Sequence, residues 1–170
     1  MAKDFGLKNT EKAMAAHIGL LDLDQAAAFA VSNLYRAANA MRNHLTNTVL
    51  RPHDLSWTGW VVLWVVWIYD GLESRHAAES AGISKGTLTG VVRTLESRGW
   101  ISRRVDDADR RLVHLALTEK GLALMEELFP LFNAAQAQAI AELDTRGVKA
   151  LTAGLRTMTL TLEKIAREPD

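Results

Sequence analysis

SKGTLTGVVRTLESRGWISRRVDDADRRLVHLALTEKG, residues 84–121, is the stretch from which the fold follows. Ser84 is a good N-cap and Gly99 a good stop, so a helix is expected to run from Lys85 to Arg98. Leu88, Val91, Val92 and Leu95 make its inward face and leave Lys85, Gly86, Thr87, Thr89, Gly90, Arg93 and Thr94 outside. Each interior glycine costs a helix about 1 kcal/mol against alanine. A merely solvated face would carry Glu, Lys and Gln, whereas small residues let a helix approach another surface closely. Small polar residues with Lys and Arg suit a helix that sinks into a DNA major groove. After Gly99, Trp100 to Val105 has strand character, Asp106 to Asp109 reads as a turn, and Arg111 to Leu117 alternates as a return strand. The three make a β-hairpin.

Upstream, Ser74 is placed to cap a short helix over Arg75 to Ser80, and Ala81-Gly82 makes a turn before Ser84, which is helix-turn-helix spacing. Farther back, Trp57 to Tyr69 is the most apolar stretch of the chain. It is about a dozen residues long, short of the roughly 18 to 20 that a membrane-spanning helix needs, so no membrane partner is expected. Trp57, Trp60, Trp64 and Trp67 share one helical face while Val61, Val62, Val65 and Val66 cover the remainder. Such a helix belongs in a core. An aromatic-lined ligand pocket is the sharper alternative, and one end of the stripe can serve both.

Both chain ends read as long amphipathic helices. From Asp24, an N-cap, apolar residues from Phe29 to Leu45 trace a helix to about Leu50, before Arg51-Pro52. Thr118 caps a second helix with a bend at Pro130, and Asp144 or Thr145 opens a third whose stripe, Val148 to Ile165, must bury against another helix. The expected fold is therefore mainly α with a small β-hairpin. A winged helix-turn-helix domain over 55–117 is expected to be flanked by a helical dimerisation layer over 24–54 and 118–170, the alternative being a monomeric helical bundle, with 1–23 as a weaker helical arm.

Charge supports a local rather than a global reading. Lys+Arg and Asp+Glu both number 20 in the 170 residues, so net charge argues for no polyanionic partner. Between residues 85 and 111, however, basic residues outnumber acidic ones. Arginine at a hairpin tip suits minor-groove insertion, and its planar fork also pairs with a carboxylate such as Asp109. There is no cysteine, which excludes disulfides, thiolate metal ligation and thiol redox sensing. The first residues lack the apolar segment of a secretory signal, and a cytoplasmic location is expected. His17, His44, His53, His76 and His114 show no close metal spacing, and no glycine-rich phosphate loop occurs. Neither enzymatic activity, a metal nor a cofactor is expected.

The run Ser84 to Gly121 resembles the MarR family of winged-helix regulators. The family pattern is a recognition helix ending Leu-Glu-x-x-Gly, then Asp-x-Arg, an apolar strand and Leu-Thr-x-x-Gly. This chain has Leu95-Glu96-Ser97-Arg98-Gly99, Asp109-Arg110-Arg111 and Leu117-Thr118-Glu119-Lys120-Gly121 in the same order and spacing. Trp100 stands where the family more often has an aliphatic residue. The likeness extends in pattern over about residues 24 to 167. It implies a triangular homodimer on a pseudo-palindromic double-stranded operator, with recognition helices in major grooves and wings in flanking minor grooves.

By that resemblance the DNA-binding set is Ser84, Lys85, Thr87, Thr89 and Arg93 on the recognition helix with Arg103, Arg110 and Arg111 on the hairpin. Lys85, Thr87 and Thr89 are expected to read bases; Arg93 and Arg110 are expected at phosphates or in the minor groove. Asp109 steadies the wing, and Arg111 serves either DNA or Asp109. The resemblance further implies a repressor released by a small aromatic or phenolic ligand, with His44, Arg51, Trp57 and Trp60 as candidate ligand contacts. Relatives that bind urate-like ligands through a tryptophan in an N-terminal arm are not matched, because residues 1–23 contain none. The competing reading is a winged-helix protein-interaction module, since fold alone does not fix function.

Overall fold

The computed structural model describes residues 6–168, and the first five residues of the expected N-terminal arm lie outside them. Its elements, in chain order, are α1 (Leu7–Ile18), α2 (Gln25–Leu45), α3 (Trp57–Ile68), β1 (Leu72–Glu73), α4 (Ser74–Ser80), α5 (Lys85–Ser97), β2 (Ile101–Val105), β3 (Val113–Leu117), α6 (Glu119–Ala139) and α7 (Thr145–Arg167). By packing, the chain divides into a unit ending at His44 and a second one beginning at Leu45.

In the first unit α1 has no buried residue, and Asn33 Nδ2 of α2 donates to Glu11 Oε1 of α1 at 2.7 Å. Asp24 caps α2 as expected, its Oδ1 accepting from Ala27 N at 2.9 Å. The regular helix stops at Leu45, short of the expected Leu50. The chain continues as a π-helical turn over Thr46–Leu50 and a short 3₁₀ turn over Arg51–His53. Pro52 lacks the N–H a helix interior needs, and Asp54 closes the turn in the left-handed conformation at φ 53°.

The second unit holds the core. Ser56 caps α3 by accepting from Gly59 N, and Val62, Leu63, Val65 and Val66 are fully enclosed. The tryptophan face does not share one fate. Trp60 is 3% exposed and stacks on Phe132 of α6 with centroids 4.4 Å apart, whereas Trp64 is 38% exposed. Trp67 meets Phe129 at 5.1 Å. The face thus spends Trp60 and Trp67 on α6 and leaves Trp64 at the surface.

The sheet has three antiparallel strands in the order β1-β3-β2, so the hairpin gains a strand beyond the two read from sequence. Leu72 pairs with Leu115 and Glu73 with His114, while on the other side Ile101 pairs with Leu117 and Arg103 with Leu115. That extra strand reassigns Ser74. The helix begins at Ser74 itself, and Ser74 Oγ donates to Val113 O of β3 at 3.0 Å instead of capping. Gly82 makes the expected turn at φ 63°. Leu88, Val92 and Leu95 of α5 pack inward, on the side of α3 and β2.

α6 starts at Thr118, whose Oγ1 accepts from Gly121 N, and runs through Pro130 without ending. Leu128 and Phe132 are its buried residues nearest that proline. Asp144, not Thr145, caps α7, accepting from Gly147 N at 2.6 Å. No residue of this 23-residue helix is buried, although Leu151, Leu155, Leu162 and Ile165 form a stripe along it.

Candidate nucleic-acid interface

The exposed face of α5 is built by local hydrogen bonding. Ser84 Oγ accepts from Thr87 N at 3.1 Å and lies 2.9 Å from Thr87 Oγ1. Thr89 Oγ1 donates to Lys85 O at 2.9 Å and Thr94 Oγ1 to Gly90 O at 3.2 Å. With their protons turned into the helix, Thr89 and Thr94 present acceptor lone pairs outward, which suits the amino group of adenine or cytosine. A methyl group added at Gly90 meets nothing within 4 Å, and one at Gly86 meets only Ser84 Oγ at 3.9 Å. The packing of the chain therefore does not require either glycine.

The far end of α5 is a Schellman cap. Gly99, at φ 72°, sends its N–H to Glu96 O while Trp100 N donates to Leu95 O. The Arg98 guanidinium lies over the Trp100 ring at 4.9 Å. Glu96, one turn before the cap, pairs with Arg103 of β2 at 2.7 Å and so ties helix to hairpin.

The hairpin tip is braced by two carboxylates. Asp106 Oδ1 accepts from the backbone N–H groups of Asp109 and Ala108, which together with nearby His114 and Arg104 hold its carboxyl below the usual carboxylate range; the Asp109 N–H contributes most. Asp109 takes both arms of Arg111, Nε on Oδ1 and Nη2 on Oδ2, each at 3.0 Å. The Arg111 backbone N–H adds a third bond to Oδ1. The guanidinium, and secondarily that N–H, pull the Asp109 carboxyl down, and Asp109 in turn raises the already high Arg111. Of the two partners considered for Arg111, the structure places Asp109 against it.

All eight expected DNA-contacting residues lie outside the core, and all eight are exposed, Arg93 of α5 included. Lys85, Thr89, Arg103 and Arg111 come together around one cleft of about 350 Å³ between α5 and the hairpin, joined there by Arg75 and Glu73. Ser84, Thr87, Arg93 and Arg110 lie outside it. Among the described residues Lys85, Arg93 and Arg110 make no ion pair, which leaves three full charges for a partner. Arg75 and Glu96 belong to this surface without having been expected there. Arg75 reaches it only because β1 sets α4 beside β3, and Glu96 only because the hairpin folds back on α5; neither relation has a local sequence signal.

Of the four candidate ligand residues, Trp57 and Trp60 share one aromatic neighbour, Phe132. His44 closes α2 in the first unit; in the second, Arg51 Nη1 donates to Asn47 Oδ1 at 3.3 Å, Trp60 is buried against Phe132, and Trp57 is half-buried 6.2 Å from the same ring. None of them lines the cleft described above or the smaller one of about 230 Å³ on another side of α5, beside Gly90, Thr94 and Arg98.

The sequence model of the MarR family matches residues 55–113, from just before the α3 cap to the first residue of β3. An uncharacterised HTH-type transcriptional regulator of Bacillus subtilis, YwaE, is 38% identical over 125 residues, covering 74% of this chain and 73% of its own length. Among solved structures, Bordetella bronchiseptica BpsR, described for the regulation of its DNA binding by 6-hydroxynicotinic acid, superposes with a TM-score of 0.71 at 25% identity, over 80% of this chain and 99% of its own. A C80S mutant of Escherichia coli MarR in complex with operator DNA gives a TM-score of 0.68 at 21% identity, over 75% of this chain and 91% of its own.

Proposed function

The chain belongs to the MarR family and is a DNA-binding transcriptional regulator of that family; on this premise we propose that it is a repressor, a homodimer that seats α5 in successive major grooves of a pseudo-palindromic operator. One observation carries the reading of the surface: Lys85 and Thr89 of the helix share a cleft with Arg103 and Arg111 of the hairpin, so helix and wing offer one continuous basic face. Lys85, Thr87 and Thr89 read bases. Arg93 and Arg110, which hold no ion-pair partner among the described residues, neutralise phosphates or enter the minor groove, while Asp109 holds Arg111 and thereby the wing. Dimer contacts come from the exposed apolar stripe of α7 together with α2, where Val31 and Tyr35 are exposed. A dimer seated across a promoter excludes the polymerase by occupancy.

Release by a small aromatic acid belongs to the same proposal. BpsR is described as regulated in its DNA binding by one such acid, 6-hydroxynicotinic acid. In this chain Trp57, half-buried next to the Trp60–Phe132 stack, offers an indole wall for a flat ligand, with Arg51 as a carboxylate partner.

The test is binding to the DNA upstream of the chain's own gene, measured across salt. Affinity is expected to fall linearly on a log–log plot, and Arg110→Ala to flatten the slope by about one unit. Binding without salt dependence would favour a protein-interaction module and end the regulator reading of this face. In the same assay, small aromatic acids are expected to release the DNA and to change tryptophan fluorescence.

A further inference from the structure

α6 begins on the end of α5. The carbonyls of three successive residues at that corner, Arg98, Gly99 and Trp100, all accept from the start of α6. Lys120 Nζ donates to Arg98 O at 2.9 Å, Thr118 Oγ1 to Gly99 O, and Thr118 N to Trp100 O at 3.1 Å. A helix leaves its last carbonyls without intrahelical donors, and the Schellman cap supplies only those of Leu95 and Glu96. Lys120 also sets a positive charge at the negative end of the α5 dipole. The approach is closed on the other side by Gly121: a Cβ there would run into Trp100 O, so only glycine lets α6 start this close.

We infer that Thr118 and Lys120 are positioning residues for DNA reading: they clamp the C-terminal end of α5 to α6, so that the two helices turn as one body. The inference rests on the assignment of α5 as the DNA-reading helix. Farther along, from its middle onward, α6 carries Phe132 against Trp60 and Trp57, and Phe129 against Trp67. The clamp therefore joins the aromatic cluster to the recognition helix through a single rod. Neither residue need touch DNA, because each is committed to a backbone carbonyl.

Lys120→Met removes one donor while leaving the Thr118 cap and most of the lysine stem in place, and Thr118→Val with Lys120→Met removes both side-chain donors. Preference for the upstream DNA over an unrelated duplex of equal length is expected to fall about threefold in the single variant and about tenfold in the double. Affinity for the unrelated duplex and the salt slope are expected to stay unchanged, and Lys120→Arg to restore the preference. A salt slope reduced by about one unit in Lys120→Met would make Lys120 a phosphate contact and overturn the inference. Because the chain has no cysteine, spin labels placed at Ser97→Cys and Glu127→Cys, in labelled chains diluted with an excess of unlabelled ones, report the α5–α6 distance within one chain. A narrow distribution in the parent that broadens in the double variant supports the clamp, and one that stays narrow overturns it. If the parent shows no preference among DNAs, the DNA-reading assignment falls and the distance measurement decides the clamp by itself.

Discussion

At Gly90 the open space that a methyl group would enter and the exposed position on α5 set stability against function. Gly90→Ala removes the entropic penalty of glycine in a helix and is expected to stabilise the fold by about 1 kcal/mol, seen as a raised melting temperature. If the residue is small so that the helix can enter a groove, the same variant loses affinity for the upstream DNA. A variant both more stable and equally tight would show that the glycine serves nothing at the DNA. Asp109 gives a prediction of a different kind. Its folded carboxyl titrates below the ordinary value of 3.8, chiefly because of the Arg111 guanidinium, and Asp106 behaves alike through the Asp109 and Ala108 N–H groups. A depressed carboxylate contributes stability that is fully present above its unfolded value and is lost as pH falls through its folded one. The wing is thus expected to keep its order from neutral pH down to about 4 and to loosen below it. Carboxyl-carbon NMR titration should show both midpoints depressed, and Arg111→Gln should return Asp109 toward the ordinary range with little change in that of Asp106.

Elements with a chemical start and stop are legible in the chain itself. Ser84, Gly99, Thr118 and Asp144 each occupy the cap or stop that their side chains announce, because those signals act within four residues. The hairpin is legible too, from alternation on both sides of an Asp-rich turn. What escapes depends on distance along the chain. β1 is two residues long and exists only by pairing with Leu115 and His114, so Leu72 and Glu73 carry no strand signature of their own, and Ser74 therefore reads from sequence as a cap that it does not form. The widened turn at Thr46–Leu50 likewise has no marker in residues that would suit an ordinary helix. Within the interface, residue types are readable and partners are not. Sequence assigns Arg103 to DNA, yet its guanidinium rests on Glu96, seven residues earlier and across a fold of the chain.

For the whole molecule, the apolar surface of α7 is the feature that asks for a second copy. Leu160 is 65% exposed and Ile165 61%, and a 23-residue helix without one buried residue is unusual unless an assembly covers it. Replacing Leu155 and Leu162 by glutamate is expected to convert a dimer into a monomer in sedimentation equilibrium. Operator affinity should then drop far more than affinity for a single half-site, since each monomer must bind alone. If the doubly substituted chain still sediments as a dimer, α7 is not the seam.

A small sheet that ends in open strands must also avoid unwanted company. β1 and β2 are the two outer strands, and an outer strand offers unpaired N–H and C=O groups to any extended peptide. β1 limits this by having two residues. β2 has five, and near its middle stand the adjacent exposed arginines Arg103 and Arg104. Two such strands meeting edge to edge would bring like charges together, so Arg103 and Arg104 are expected to discourage neighbouring molecules from joining their sheets.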